Sequence, residues 1–167
     1  MPADWSRPVD VERLADAGEL REIELPLATL PRIAPDLAAD GGMAQCRIQF
    51  ARERGQPVAD IEVQARMPLR CQRCLKPVWV DVDQHSRVWL VSEPARADTL
   101  EMGLEPTLAP EGRIALRELV EEELLLAAPL VPRHAEAADC IADATESEEE
   151  VVQRPFAGLS ELLKRKQ

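Results

Sequence analysis

The sequence predicts an α+β fold: a small antiparallel β-sheet domain with a packed helix, proline-rich loops and an acidic linker to a C-terminal helix. Three observations predict it. Apolar and polar residues alternate along most of residues 44–92, the signature of half-buried strands. One segment, residues 114–127, carries apolar side chains at helical spacing. Residues 135–153 are small and acidic and end in Glu146-Ser147-Glu148-Glu149-Glu150, which reads as a disordered linker. The organisation expected is therefore a core domain over 1–134 with an N-terminal helical segment, a linker over 135–153, and a basic amphipathic helix over 154–167.

Each element has its own signal. Residues 9–17 read as a short helix capped by Asp10 or a neighbour and stopped by Gly18. Residues 21–27 alternate and read as a strand. Residues 30–37 contain Pro31 and Pro35 and have room for only a helical turn or two. Residues 45–52 place Cys46, Ile48 and Phe50 on one face. A turn at Arg54-Gly55 follows, then residues 58–67 alternate through Ile61, Val63 and Ala65, so the pair reads as a hairpin. In this register Cys46 is a core residue. Residues 78–83 and 88–91 supply further strand. Residues 93–112, with three prolines, read as an acidic loop. The helix at 114–127 buries Leu116, Leu119, Val120 and Leu124, exposes Glu118, Glu121 and Glu122, packs on the sheet, and ends at Pro129.

Composition narrows the chemistry. The hydrophobic share is 46% but aromatics are only 3% and tyrosine is absent, so Ala, Leu and Val must fill the core, helped by Trp79 and Trp89. No apolar run approaches the ~20 residues that span a bilayer, and Met1-Pro2-Ala3-Asp4-Trp5 does not open a secretory signal. A cytoplasmic location with reduced cysteines is expected. The net charge of −11 opposes general nucleic-acid coating. Its distribution is polar: residues 42–80 carry seven basic and three acidic side chains, residues 101–153 three basic and fourteen acidic. That pattern allows one basic contact face on an acidic protein, and an acidic surface can also attract a basic one.

Cys71-Gln72-Arg73-Cys74 lies at the turn between two strand-like runs, with Arg70, Arg73 and Lys76 on its rim. Two thiols at this spacing form half of a tetrahedral zinc site. His134 and Cys140 offer the other half, so Cys71, Cys74, His134 and Cys140 are the candidate metal ligands and zinc the candidate cofactor. A redox pair is the alternative, although a thioredoxin-like CxxC opens a helix and this one is followed by Pro77 and a strand. Arg66, Arg70, Arg73 and Lys76 are candidates for gripping RNA phosphates or a protein partner, with Trp79 or Trp89 available to stack on bases. Phe156, Leu159, Leu162 and Leu163 share one helical face and form a candidate docking surface. Catalytic signatures (G-x-S-x-G, a P-loop, a dinucleotide fingerprint) are missing from the sequence, and His85 reads as an exposed strand residue.

Three landmarks stand in fixed order: Arg70-Cys71-Gln72-Arg73-Cys74-Leu75-Lys76-Pro77, then the run from Glu121 through Pro129 and Pro132 to His134, then Arg154-Pro155-Phe156-Ala157-Gly158-Leu159-Ser160-Glu161-Leu162-Leu163. Together they resemble the YceD family, the bacterial large ribosomal RNA subunit accumulation proteins. Leu25-Pro26-Leu27 and Leu30-Pro31-Arg32 resemble its N-terminal part. The resemblance implies a non-enzymatic cytoplasmic factor that supports synthesis, processing or stability of 23S rRNA during large-subunit assembly, touching the rRNA or its precursor directly or through assembly particles. Many relatives carry a second cysteine pair after the proline-bounded helix, where this chain has Cys140 with His134. Two other functions stay open: a thiol oxidoreductase using Cys71 and Cys74, and an acidic chaperone for a basic ribosomal protein.

Overall fold

The computed structural model describes residues 4–93 and 105–140. In chain order the elements are β1 (Pro8–Asp10), α1 (Val11–Ala17), β2 (Leu20–Pro26), β3 (Met43–Glu53), β4 (Gln56–Arg70), β5 (Pro77–Val91), β6 (Glu105–Leu108), β7 (Arg113–Ala115) and α2 (Leu116–Ala127). Short 3-10 turns lie at Leu27–Thr29, Ala34–Asp36, Pro110–Gly112 and Ala137–Cys140. The main sheet runs β2-β3-β4-β5-β6; its first four strands are antiparallel neighbours and β6 joins β5 in parallel. β1 and β7 form a separate two-stranded ribbon. The fold is α+β, as the sequence predicts.

The alternation in β3 and β4 divides the sheet into two faces. Cys46, Ile48 and Phe50 are buried on one side, paired with or next to Val63, Ile61 and Ala59 of β4. Val11 and Leu14 of α1 and Leu116, Leu119, Val120 and Leu124 of α2 join the same core, so both helices cover this inner face. Among the described residues the other face lacks such a layer, and Glu22, Glu24, Glu62, Gln64, Asp81 and Asp83 are exposed there. Its apolar patch is local: Trp89 packs with Val58 and Val91.

Local chemistry sets the boundaries. Asp10 caps α1 by accepting from the Arg13 N–H at 3.0 Å, and Gly18 ends the helix in the left-handed conformation at φ 59°. Arg54 and Gly55 both take positive φ, 48° and 79°, which is the turn geometry whose twist suits a tight hairpin between β3 and β4. Val9 belongs to β1, so the first helix starts two residues later than its periodicity suggests.

Three expectations are corrected. The loop expected over 93–112 contains β6, whose register with β5 runs from Val88–Glu105 to Val91–Leu108; a four-residue strand with a proline gives too short a pattern to read. Glu121 is buried rather than exposed, because its Oε1 accepts the Arg32 backbone N–H at 2.6 Å. Glu122 also contacts the Arg32 side chain, so α2 pins the 27–37 segment from above. Trp79 is 45% exposed rather than part of the core, because it stands on the uncovered sheet face. The 3-10 turn at Ala137–Cys140 opens the segment expected as a linker; residues 141–167, with the expected C-terminal helix, lie outside the described residues.

Two outcomes follow for α2. Glu121→Ala leaves the Arg32 N–H without its acceptor and is expected to destabilise the fold by about 1–3 kcal/mol in urea unfolding, whereas Glu121→Gln retains most of that stability. Glu123 is buried, and burial raises its carboxyl above the ordinary range, with the Ser86 hydroxyl partly offsetting this. A carboxylate raised in the folded state lets the folded protein hold more protons, so its contribution to stability falls as pH rises above the unfolded value. Glu123→Gln should therefore stabilise the protein at pH 7 and have little effect near pH 4; equal effects at both would contradict this origin.

Candidate metal centre and nucleic-acid interface

The β4–β5 connection is built as a tight knuckle. The Cys71 N–H donates to the Lys76 carbonyl at 2.9 Å and the Leu75 N–H to the Cys71 carbonyl at 2.9 Å. Leu75 takes the left-handed conformation at φ 62°, a place that glycine or asparagine fills more readily, and its side chain is exposed. The turn brings Cys71 and Cys74 to one side. Beyond α2, Pro129 and Pro132 break the helix and carry the chain back over the knuckle, where the Gln72 N–H donates to the Pro132 carbonyl at 2.8 Å. His134 and the 3-10 turn ending at Cys140 follow at once.

Cys71, Cys74, His134 and Cys140 therefore meet, although Cys71 and Cys140 are 69 residues apart. Their ligand atoms all lie within 4.8 Å of one another. Cys71 Sγ is 3.8 Å from Cys140 Sγ, and His134 Nδ1 is 3.6 Å from Cys74 Sγ and 3.4 Å from Cys140 Sγ. A tetrahedral zinc with sulfur at ~2.3 Å and nitrogen at ~2.0 Å has ligand-to-ligand edges of about 3.8 Å between sulfurs and about 3.5 Å between sulfur and nitrogen. These three spacings fit those edges, within a cluster whose outer limit of 4.8 Å is wider than an edge. The far side of the imidazole is also set for this role. His134 Nε2 lies 3.1 Å from the Pro77 carbonyl, a donation that leaves Nδ1 unprotonated toward the thiols.

The electrostatics differ among Cys71, Cys140 and Cys46. Burial opposes ionisation of Cys71, but backbone N–H groups of Cys74, Arg73 and His134 and the Cys74 side chain outweigh it and bring the thiol down to about 5. Cys140 is pushed up, first by burial and then by its contacts with Cys71 and Cys74. That is the expected conflict when several thiols share one small volume, and a cation there removes it. The Arg73 guanidinium approaches Cys140 Sγ at 3.7 Å, so this arginine serves the cluster as well as the rim. Cys46 stands apart: burial, with the charges of Glu123 and Glu62, raises its thiol to about 12.

The candidate contact residues divide into two groups. Arg70, Arg73 and Lys76 are exposed around the knuckle. Arg66 lies on the uncovered face of β4, where its guanidinium sits 5.2 Å from the Trp79 ring centroid and 3.6 Å from Asp81. Arg66 and Trp79 are separate candidates in the sequence; their pairing comes from the β4–β5 register, which sets Pro68 opposite Trp79 and Arg66 opposite Asp81. His85 is exposed as expected and bonds Asp60 at 2.6 Å. Phe156, Leu159, Leu162 and Leu163 lie outside the described residues. No helix among the described residues is long and apolar enough to cross a membrane.

Residues 59–163 match the family model described as "Large ribosomal RNA subunit accumulation protein YceD". The match takes in the knuckle, α2 and all four cluster residues. No solved structure matches the chain.

The depth of Cys46 gives a direct check on the core. In the folded protein at pH 8, Cys46 is expected to resist alkylation by iodoacetamide and to react once denaturant is added. Modification in the folded state at the rate of a free thiol would contradict its burial.

Proposed function

The chain belongs to the YceD family, and from that membership we propose that it is a cytoplasmic, non-enzymatic factor supporting the synthesis, processing or stability of 23S rRNA. It acts by binding, to the rRNA or its precursor or to a large-subunit assembly particle. Cys71, Cys74, His134 and Cys140 hold a zinc ion, and the ion's work is structural: it takes up the charge of the crowded thiolates and fixes the knuckle. The observation that carries this reading is the convergence of four donors within 4.8 Å of one another, three of their spacings matching tetrahedral edges, beside a basic rim. Arg70, Arg73 and Lys76 thereby present charge from a rigid support, which reduces the ordering cost of binding.

The redox alternative has one point in its favour, the depressed Cys71 thiol. Against it, Cys71 is fully buried, and the knuckle opens a strand rather than a helix, leaving no helix N-terminus to assist thiol exchange. The chaperone alternative draws on the exposed carboxylates of the uncovered sheet face, which suit a basic protein.

Affinity capture of the tagged protein from growing cells, with and without nuclease, separates these readings. Precursor 23S rRNA or large-subunit particles in the eluate are expected. Loss of the particles after nuclease supports direct RNA contact, and a basic protein retained after nuclease supports the chaperone. An eluate with neither at physiological salt would contradict the ribosomal role. With RNA as the contact, binding should weaken as salt rises, and Arg70→Ala with Lys76→Ala should lower the salt dependence by about 0.7 per lost phosphate contact.

A further inference from the structure

We propose that Trp79, with Arg66 and Arg70 beside it, is a stacking site for one unpaired RNA base at the knuckle end of the sheet. The proposal rests on the RNA-binding reading above and names the part of the RNA that reading involves. A chain with three tryptophans and two phenylalanines leaves Trp79 45% exposed on a face that neither helix covers. The strand register explains the surroundings. Moving along β4 and β5 away from the knuckle, the opposed pairs are Arg70–Pro77, Pro68–Trp79, Arg66–Asp81 and Gln64–Asp83. Opposed residues share a face, so Trp79 lies between two arginines of the neighbouring strand, with Pro68 buried opposite it.

Each part suits a nucleotide. The indole and the Arg66 guanidinium, 5.2 Å from the ring centroid, form a flat cationic surface of the kind that stacks on a base regardless of its identity. Arg66 loses little by taking a new partner, because its contact with Asp81 is between exposed groups. Arg70 stands where the phosphate of a stacked nucleotide would pass, and Arg73 and Lys76 continue the basic surface onto the knuckle. The acidic residues set the limit: Asp81 and Asp83 follow on the same face and repel a phosphate chain. The favoured occupant is therefore a short unpaired segment that enters from the knuckle and ends at Trp79. A duplex, with its bases stacked internally, has none to offer.

The test measures binding of an unstructured single-stranded RNA of about ten nucleotides to the full chain across a salt series. Wild type, Trp79→Ala, Trp79→Phe and Arg70→Ala are compared, with circular dichroism as the folding control. Trp79→Ala should weaken binding about 5- to 100-fold, Trp79→Phe should recover most of the loss, and neither should change the salt slope. Arg70→Ala should lower that slope by about 0.7. A duplex of the same sequence should bind more weakly and be indifferent to Trp79→Ala. Single-stranded RNA bound equally well by wild type and Trp79→Ala overturns the stacking site and leaves RNA binding by the rim standing. Wild type that binds no single-stranded RNA overturns both.

Discussion

Four donor atoms that must sit within the reach of one ion tie together parts of the chain that share no strand or helix. The knuckle between β4 and β5 supplies Cys71 and Cys74, and the segment beyond α2 supplies His134 and Cys140. Closing so long a loop is entropically costly, and the binding free energy of an ion held only by the folded chain would offset that cost. The Gln72–Pro132 and His134–Pro77 hydrogen bonds act in the same place and hold the four donors together without an ion. The β4–β5 register fixes Arg70 and Arg66 beside Trp79, and the contacts with the segment beyond α2 hold the tip of the knuckle against that frame.

The sheet and its helices serve that end of the molecule. α1 and α2 both lie on the inner face, so the outer face keeps its polar side chains and its one exposed tryptophan. α2 also reaches the 27–37 segment through Glu121 and Glu122. Pro129 and Pro132, just beyond it, then send the chain back to the knuckle. One helix thus covers the core, fastens a loop and leads the chain to two of the four donors. The charge follows the same geometry: basic at the knuckle, acidic toward the middle of the uncovered face. A nucleic-acid strand and a basic protein would accordingly favour different parts of one surface.

Much of this was legible in the residues. The alternation through Cys46, Ile48 and Phe50 gave the inner face of β3, and Asp10 and Gly18 marked the ends of the first helix because capping is local chemistry. The four candidate ligands could be named because thiols and imidazoles at such spacings have few other uses together. What was not legible depends on distant partners. Nothing local says that Glu121 will find the Arg32 N–H, so its place on a glutamate-rich helix read as solvent-facing. Trp79 read as core because aromatics usually are; its exposure follows from which sheet face the helices cover. β6 has no local signal, because a short parallel edge strand with a proline borrows its order from β5.

The central claim is that Cys71, Cys74, His134 and Cys140 hold one structural zinc. Native mass spectrometry of the purified chain, with and without a chelator and beside Cys140→Ser, tests it most directly. The account predicts one zinc per folded chain, removed by the chelator with a loss of thermal stability and held far more weakly by Cys140→Ser. A folded wild-type chain that carries no metal, takes up none when zinc is supplied and has Cys71 and Cys74 joined as a disulfide would contradict it.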